Sequence, residues 1–170
     1  MDFTELTKKR YSVRKFTPQP LTSAEIEAIL EVAADAPTAC NNQPQRIYVA
    51  KSPEARAAVA RSTSCHFNAP VLFVVCYDED VCWHRQFDGQ SYGAVDATIA
   101  MTQMMLKATE LGLGSTFVGW FDPQILRDAL KLPANLIPVG ILPVGHPSPD
   151  GGPAPAHDTR RGIAAITTEL

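Results

Sequence analysis

Tyr92-Gly93-Ala94-Val95-Asp96-Ala97-Thr98-Ile99-Ala100-Met101-Thr102-Gln103-Met104-Met105-Leu106-Lys107-Ala108-Thr109-Glu110-Leu111 decides the architecture of this chain. The stretch reads as one long helix. Val95, Ile99, Met101, Met104, Met105, Leu106, Ala108 and Leu111 point to several of its faces. A helix apolar nearly all round is covered on most sides. In a chain of 170 residues this predicts a central helix at an interface between subunits. Gly112 supplies a left-handed stop.

Working outward toward the N-terminus, Val71 to Tyr77 is β-branched and aromatic, the composition of a buried strand. Ser52-Pro53-Glu54 provides an N-cap, a proline at the first helical position and an early acid, so a helix runs to about Arg61. Arg46 to Ala50 reads as a strand. Ala36 to Gln45 is a polar loop. Thr22-Ser23-Ala24-Glu25 is a capping box opening a helix with Ile26, Ile29, Leu30 and Ala33 on one side, ended by Pro37. Asp2 to Lys9 is a short helix, and Arg10 to Phe16 an extended segment or loop.

Toward the C-terminus, Ser115 to Gly119 reads as a strand and Asp122-Pro123 caps a helix through Leu130. Leu136 to Val144 is strand-like despite Pro138 and Pro143, which a strand interior disfavours. Pro147 to Pro155 is a Pro/Gly-rich arm, and Ile163 to Leu170 alternates weakly as an extended tail. The elements mix α and β without a βαβ alternation. This favours an α+β fold, with helices around one sheet in a single domain.

Composition sets the boundaries. Apolar residues make up 45% and charged residues 19%, enough to fill a core. The net charge of -3 gives no broad basic field for nucleic acid. The longest apolar run, Ala69 to Tyr77, is too short to span a bilayer. The N-terminus lacks the pattern of a secretion signal, and Cys40, Cys65, Cys76 and Cys82 show no CxxC spacing. Reduced thiols and a cytoplasmic location are the expectation.

Four segments carry candidate chemistry. Arg10, Ser12 and Arg14 alternate along an extended segment and so share a face, where two guanidinium forks and a hydroxyl suit a phosphate. The alternative is a solvated basic edge. Pro37-Thr38-Ala39-Cys40-Asn41-Asn42-Gln43-Pro44 concentrates small and amide side chains that can hydrogen-bond a heteroaromatic edge. Asx-turn chemistry explains the same residues. Gly112, Gly114, Val118 and Gly119 admit close approach of backbone to a flat ligand, or serve as a cap and a turn. Arg160 and Arg161 follow the Pro-rich arm and either return to an anion site or form a solvated tail.

Taken together and in this order, these segments resemble the FMN-dependent nitroreductase family, in its compact branch. The resemblance is carried by Arg10-Tyr11-Ser12-Val13-Arg14-Lys15-Phe16, Ala36-Pro37-Thr38 with Asn41 and Gln43-Pro44, and Glu110-Leu111-Gly112-Leu113-Gly114-Ser115. Val118-Gly119-Trp120-Phe121-Asp122 and Leu142-Pro143-Val144-Gly145-His146-Pro147 complete it. It implies a mostly antiparallel sheet flanked by helices in an intertwined homodimer, with residues 147–170 crossing to the partner and two FMN sites at the interface. By that likeness Arg10 and Ser12, beside Tyr11, hold the ribityl-phosphate end, and Arg14 lies near the flavin pyrimidine. Pro37, Thr38, Ala39, Asn41 and Gln43 approach the partner's flavin. The backbone of Val118 and Gly119 approaches N5, Gly145 lies near the phosphate, and Arg160, rather than Arg161, completes the clamp. The implied activity is ping-pong electron transfer from NADH or NADPH through FMN to a nitroaromatic, quinone, enone or free flavin, with no catalytic side chain. A non-enzymatic FMN sensor or carrier is the alternative. Three departures stand out. Arg-Tyr-Ser replaces the common Arg-Arg-Ser, Ser62 to Asn68 matches no family contact, and His146 occupies a frequently aromatic position.

Two other chemistries compete. Gly89-Gln90-Ser91-Tyr92-Gly93 matches G-x-S-x-G, with Asp122 or Asp128 and His146 or His157 following in hydrolase order, but the preceding Trp83 to Asp88 is polar and turn-like rather than a strand. Cys65-His66 and Cys82-Trp83-His84 match no common zinc spacing and are assigned to packing, so no metal is expected. Trp83, His84, Arg85 and Trp120 either border the substrate face or pack.

Overall fold

The computed structural model describes all 170 residues. One strand and four helices set its layers. β2 (Val71–Asp78) is buried on both faces, and period-2 alternation sends its residues to two separate cores. Val71, Phe73 and Val75 face α2 (Ser23–Ala34) and α4 (Gly93–Glu110), meeting Ile29, Ala33, Ala97, Ala100, Met101, Met104 and Ala108. Leu72, Val74 and Cys76 face α3 (Pro53–Ala60) and α5 (Pro123–Leu130), meeting Val59, Leu126, Leu132 and Ile141. The result is a sheet between two helical layers.

The sheet has the order β1-β2-β4-β3 and is antiparallel throughout, with β1 at Gln45–Ala50, β3 at Gly114–Ser115 and β4 at Leu136–Gly145. The α+β expectation holds. So does the capping box of Thr22 and Glu25 that opens α2; a second box, of Asp2 and Glu5, opens α1 (Phe3–Lys9). Gly112 ends α4 at φ +77°. No helix is long and apolar enough to cross a membrane.

β4 is a central strand that carries both prolines, and register explains the tolerance. Val75 pairs with Gly140 and Cys76 with Pro138, leaving Val139 as the extra residue of a bulge beside Pro138. Pro143 acts on β3. Gly114 pairs with Gly145 and Val118 with Ile141, so Thr116 falls opposite Pro143. The Thr116 N–H donates to the Pro143 carbonyl at 3.4 Å, but the proline has no N–H to return. The predicted strand over 115–119 is therefore cut to Gly114–Ser115 plus an isolated bridge at Val118. Two further expectations change. The loop 36–45 contains a 3₁₀ turn at Ala39–Asn41, and the tail after Ile163 begins with another at Ile163–Ala165 instead of running extended.

α4 is buried along one side only. Val95 (47% exposed) and Leu111 remain uncovered, and Ile99, Met105 and Leu106 are half-buried.

Candidate functional site

The site begins where α1 ends. Arg10 adopts an extended conformation at the helix C-cap, its N–H donating to the Leu6 carbonyl at 3.0 Å. The chain then runs beside β3. Ser12 forms a parallel bridge with Ser115, and the Val13 N–H donates to the Ser115 carbonyl at 3.0 Å. Val13 is buried and lies directly over Gly114, where a Cβ would come within 2.6 Å of its Cγ2. Close packing of Val13 thus fixes the alternation, and Arg10, Ser12 and Arg14 turn to the opposite side.

There they line a cleft of about 240 Å³ whose other wall is the C-terminal arm: Ala154, Ala156, His157 and Arg160. The arm is tied down by backbone bonds from Thr17 N–H to the His146 carbonyl (2.9 Å) and from Ser148 N–H to the Lys15 carbonyl (3.0 Å). Tyr11 meets His157 edge-to-face, ring centroids 6.1 Å apart, which seats the 3₁₀ turn Pro155–Asp158. Arg14 donates to the Ser12 carbonyl at 3.1 Å, and Arg160 to the carbonyls of His157 and Thr159. No acid lines the cleft, and Arg10, Arg14 and Arg160 make no ion pair. Three arginines lining one cleft without a counter-charge form an anion receptor. Arg161 is exposed and is not part of the lining.

The loop after α2 forms a second part. Cys40, Asn41 and Gln43 all have positive φ (53°, 56° and 50°), a concentration of left-handed non-glycine residues that surrounding bonds must enforce. Thr38 Oγ1 accepts from the Gln43 N–H at 3.0 Å, the Gln43 amide donates to the Asn41 carbonyl at 3.2 Å, and Arg46 clasps the Gln43 carbonyl at 2.9 Å. The deepest anchor is Asp96. Its Oδ1 accepts from the Ala39 N–H at 3.0 Å, while Oδ2 is buried without a partner. Asp96 is 2% exposed. Sequence reasoning missed it, because an acid in a helix's first turn looks like ordinary dipole compensation. Its apolar surroundings were the available signal.

The remaining candidates are placed as follows. Val118 is buried in the second core; Gly119 beside it is open, with only the Phe117 ring at 4.0 Å from a Cβ position. Trp120 is 78% exposed, its carbonyl held by Thr63 Oγ1. Gly145 lies in the sheet opposite Gly114 and is explained by packing, since a Cβ would meet Pro70 at 2.6 Å and Phe16 at 3.0 Å. It does not line the cleft. Pro37 stays at the surface.

The comparisons with known proteins decide the family. Residues 7–71 and 63–146 match the nitroreductase family. The chain belongs to the nitroreductase family. A nitroreductase family protein from Clostridium difficile 630 is 39% identical, superposes with a TM-score of 0.92, and aligns over 99% of this chain and 98% of its own. A protein from Desulfovibrio desulfuricans solved in complex with FMN is 28% identical, with a TM-score of 0.80 over 98% of this chain and 95% of its own. Among curated relatives, an FMN reductase (NAD(P)H) of Bacillus subtilis is 27% identical over 155 residues, covering 81% of this chain and 62% of that protein.

In this nitroreductase-family chain the hydrolase alternative loses its geometry. Ser91 Oγ lies 3.3 Å from Cys82 Sγ and 3.5 Å from Glu79 Oε2, with no histidine nitrogen among its partners. No strand leads into it, and the acids are engaged elsewhere: Asp122 Oδ1 caps α5, accepting from the N–H groups of Gln124 (2.9 Å) and Ile125 (3.0 Å), and Asp128 Oδ1 accepts from the Gln124 amide at 2.9 Å. The two zinc candidates separate as well. Cys65 packs at the edge of the second core, and His66 accepts from the Asn68 N–H through Nδ1.

Proposed function

We propose that this protein is an FMN-dependent NAD(P)H oxidoreductase that passes electrons to a small acceptor. One observation carries the reading: Arg10, Ser12, Arg14 and Arg160 converge from opposite ends of the chain on a cleft with no acid. That donor set fits a phosphate monoester. The forks of Arg10 and Arg160 and the Ser12 hydroxyl would hold the FMN phosphate; Arg14, in the same cleft, would add positive charge toward the flavin pyrimidine. Bound FMN supplies the two-electron chemistry. The chain orients it and limits water. Gly119 leaves room for a flat ring against backbone, and Asp96 fixes the loop that presents Pro37, Thr38, Ala39, Asn41 and Gln43. No side-chain nucleophile is required.

The unit we propose is a homodimer in which that loop serves the partner's flavin; of the expected arm 147–170, residues 147–160 pack on their own subunit, and the stretch beyond Arg160 is the part that reaches across. Two features support it. Ile163 (78% exposed), Ile166 and Leu170 are apolar yet cover nothing in their own chain. An apolar groove of about 320 Å³ between α1, α2 and α4 exposes Phe3, Leu6, Val32 and Leu106.

The test is FMN titration of Arg160→Ala and Arg161→Ala, followed by anaerobic mixing of the loaded wild type with NADH and NADPH. A charge-assisted hydrogen bond contributes about 1.5–3 kcal/mol, so Arg160→Ala weakens FMN roughly 10- to 150-fold while Arg161→Ala has little effect. Either nucleotide bleaches the flavin. A colourless monomer that ignores added FMN, or a bound flavin that neither nucleotide reduces, refutes the proposal.

A further inference from the structure

The connection from β2 to α4 gathers three metal-ligating side chains that the proposed electron transfer does not use. Glu79 follows β2, Cys82 is buried at 7% exposure, and His84 stands at the surface. Cys82 Sγ lies 3.8 Å from Glu79 Oε2, 3.9 Å from His84 Nδ1 and 4.0 Å from His84 Nε2. His84 Nε2 is 2.9 Å from Glu79 Oε1. One ligand atom from each residue falls within 4.8 Å of the others. A tetrahedral zinc ion with bonds of about 2.3 Å to sulfur and about 2.0–2.2 Å to nitrogen and oxygen holds its ligands about 3.4–3.6 Å apart. His84 Nε2, 2.9 Å from Glu79 Oε1 and 4.0 Å from the sulfur, brackets that spacing, and the sulfur is 3.8 Å from the other carboxylate oxygen, so rotation of the exposed Glu79 and His84 side chains brings one atom from each residue to it.

The backbone beneath is fixed independently of any ion. The Cys82 N–H donates to the Asp78 carbonyl at 3.1 Å, and Asp78 is braced by Asn135 at 2.8 Å and by Arg46. His84 bridges Ser91 across the loop, and the Trp83 and Tyr92 rings stack edge-on with centroids 5.0 Å apart. Cys82 sits at the floor, while the side chains of His84 and Glu79 are 42% and 40% exposed, leaving a path from solvent. Ser91 Oγ, 3.3 Å from the sulfur, stands beside the remaining coordination position.

We propose that Glu79, Cys82 and His84 form a binding site for a borderline divalent cation, zinc above all, with water or Ser91 as fourth ligand. A thiolate, an imidazole and one carboxylate suit zinc better than magnesium or calcium, which take oxygen ligands. Binding releases the Cys82 thiol proton and replaces the His84–Glu79 hydrogen bond with two bonds to the metal. The site shares no residue with the arginine cleft and closes the first turn of the loop between β2 and α4, reaching its far end where Ser91 is the fourth ligand.

The experiment is calorimetric titration of the full-length, FMN-saturated protein with zinc chloride in chelator-free buffer, with melting temperature as a second readout. One zinc binds per chain and raises the melting temperature. His84→Gln and Glu79→Gln each weaken binding at least about tenfold. Cys82→Ser removes the thiolate charge-transfer band that cobalt(II) produces with the wild type, and Cys40→Ser, at an exposed thiol outside the cluster, leaves that band and the zinc affinity in place. Because His84 and Glu79 are half-exposed, their variants fold even where Cys82→Ser does not. Zinc binding no tighter than about 1 mM, unchanged affinity in His84→Gln, or loss of binding in Cys40→Ser overturns the proposal.

Discussion

Gly114→Ala probes whether the arginine cleft is set by packing on the other side of the chain. The added Cβ would lie 2.6, 2.7 and 2.8 Å from Cγ2, Cβ and Cγ1 of Val13. Carbon atoms at rest sit about 3.5–4.0 Å apart, so roughly 1 Å must be found. Val13 cannot supply it by rotation. Its Cβ is itself too close, its χ1 is stiff, and it is 4% exposed. The backbone must move, stretching the 3.0 Å bond from Val13 N–H to the Ser115 carbonyl. Overpacking of this kind costs about 1–3 kcal/mol, and a domain of this size loses about 2–4 °C per kcal/mol, so the melting temperature falls by roughly 2–12 °C. Arg10, Ser12 and Arg14 move with the same segment. Loss of one charge-assisted bond weakens FMN by roughly 10- to 150-fold. Scanning calorimetry and FMN fluorescence titration on Gly114→Ala, Val13→Gly and the double variant close a cycle, glycine being the residue that removes the Val13 Cβ at 2.7 Å as well as its methyls. The double variant should lose clearly less than the sum of the two single losses. Losses that simply add, within about 0.5 kcal/mol, would show that the two positions do not communicate and that the reasoning is wrong.

Asp96→Ala leaves the Ala39 N–H without its acceptor and should cost about 1–3 kcal/mol, while Asp96→Asn retains the Oδ1 contact; equal melting temperatures for the two would remove Asp96 as the anchor of the loop. Burial pushes the Cys76 thiol up to about 12, so thiol reagents followed by mass spectrometry at mildly alkaline pH should label exposed Cys40 and spare Cys76 until the protein unfolds; equal labelling rates would contradict the burial of β2. Glu25 is held below its ordinary 4.5 chiefly by the Thr22 N–H, which donates to Oε2 at 2.7 Å. The stability this contributes is fully present above 4.5 and is lost as pH falls through the lower folded value. Glu25→Gln should therefore flatten the acid side of the melting-temperature profile, and a slope identical to the wild type would exclude the capping box as its source.

What was legible in the sequence depended on how local its cause was. Caps are local: Asp2, Thr22, Ser52 and Asp122 each accept from a backbone N–H two or three residues on, and their helices begin where the residue types say. The alternation of Arg10, Ser12 and Arg14 was readable for the same reason. Pro143 was visible, but its effect falls on Thr116, across the sheet, and only register reveals that it shortens β3. Asp96 was hidden because its partner, Ala39, is contributed by a distant loop. Cys82 and His84 were noticed as a pair and assigned to packing. Glu79, separated from them by a turn at the end of β2, was not connected to them until the loop was folded.

Because Arg10 and Arg160 are separated by almost all of the described residues, the cleft reports on the integrity of everything between them. A growing chain cannot assemble it until Arg160 has been added, and a single proteolytic cut in the arm before Arg160 would disperse it while both cores stayed intact. Retention of a bound anion would then distinguish unnicked molecules from those that are merely folded.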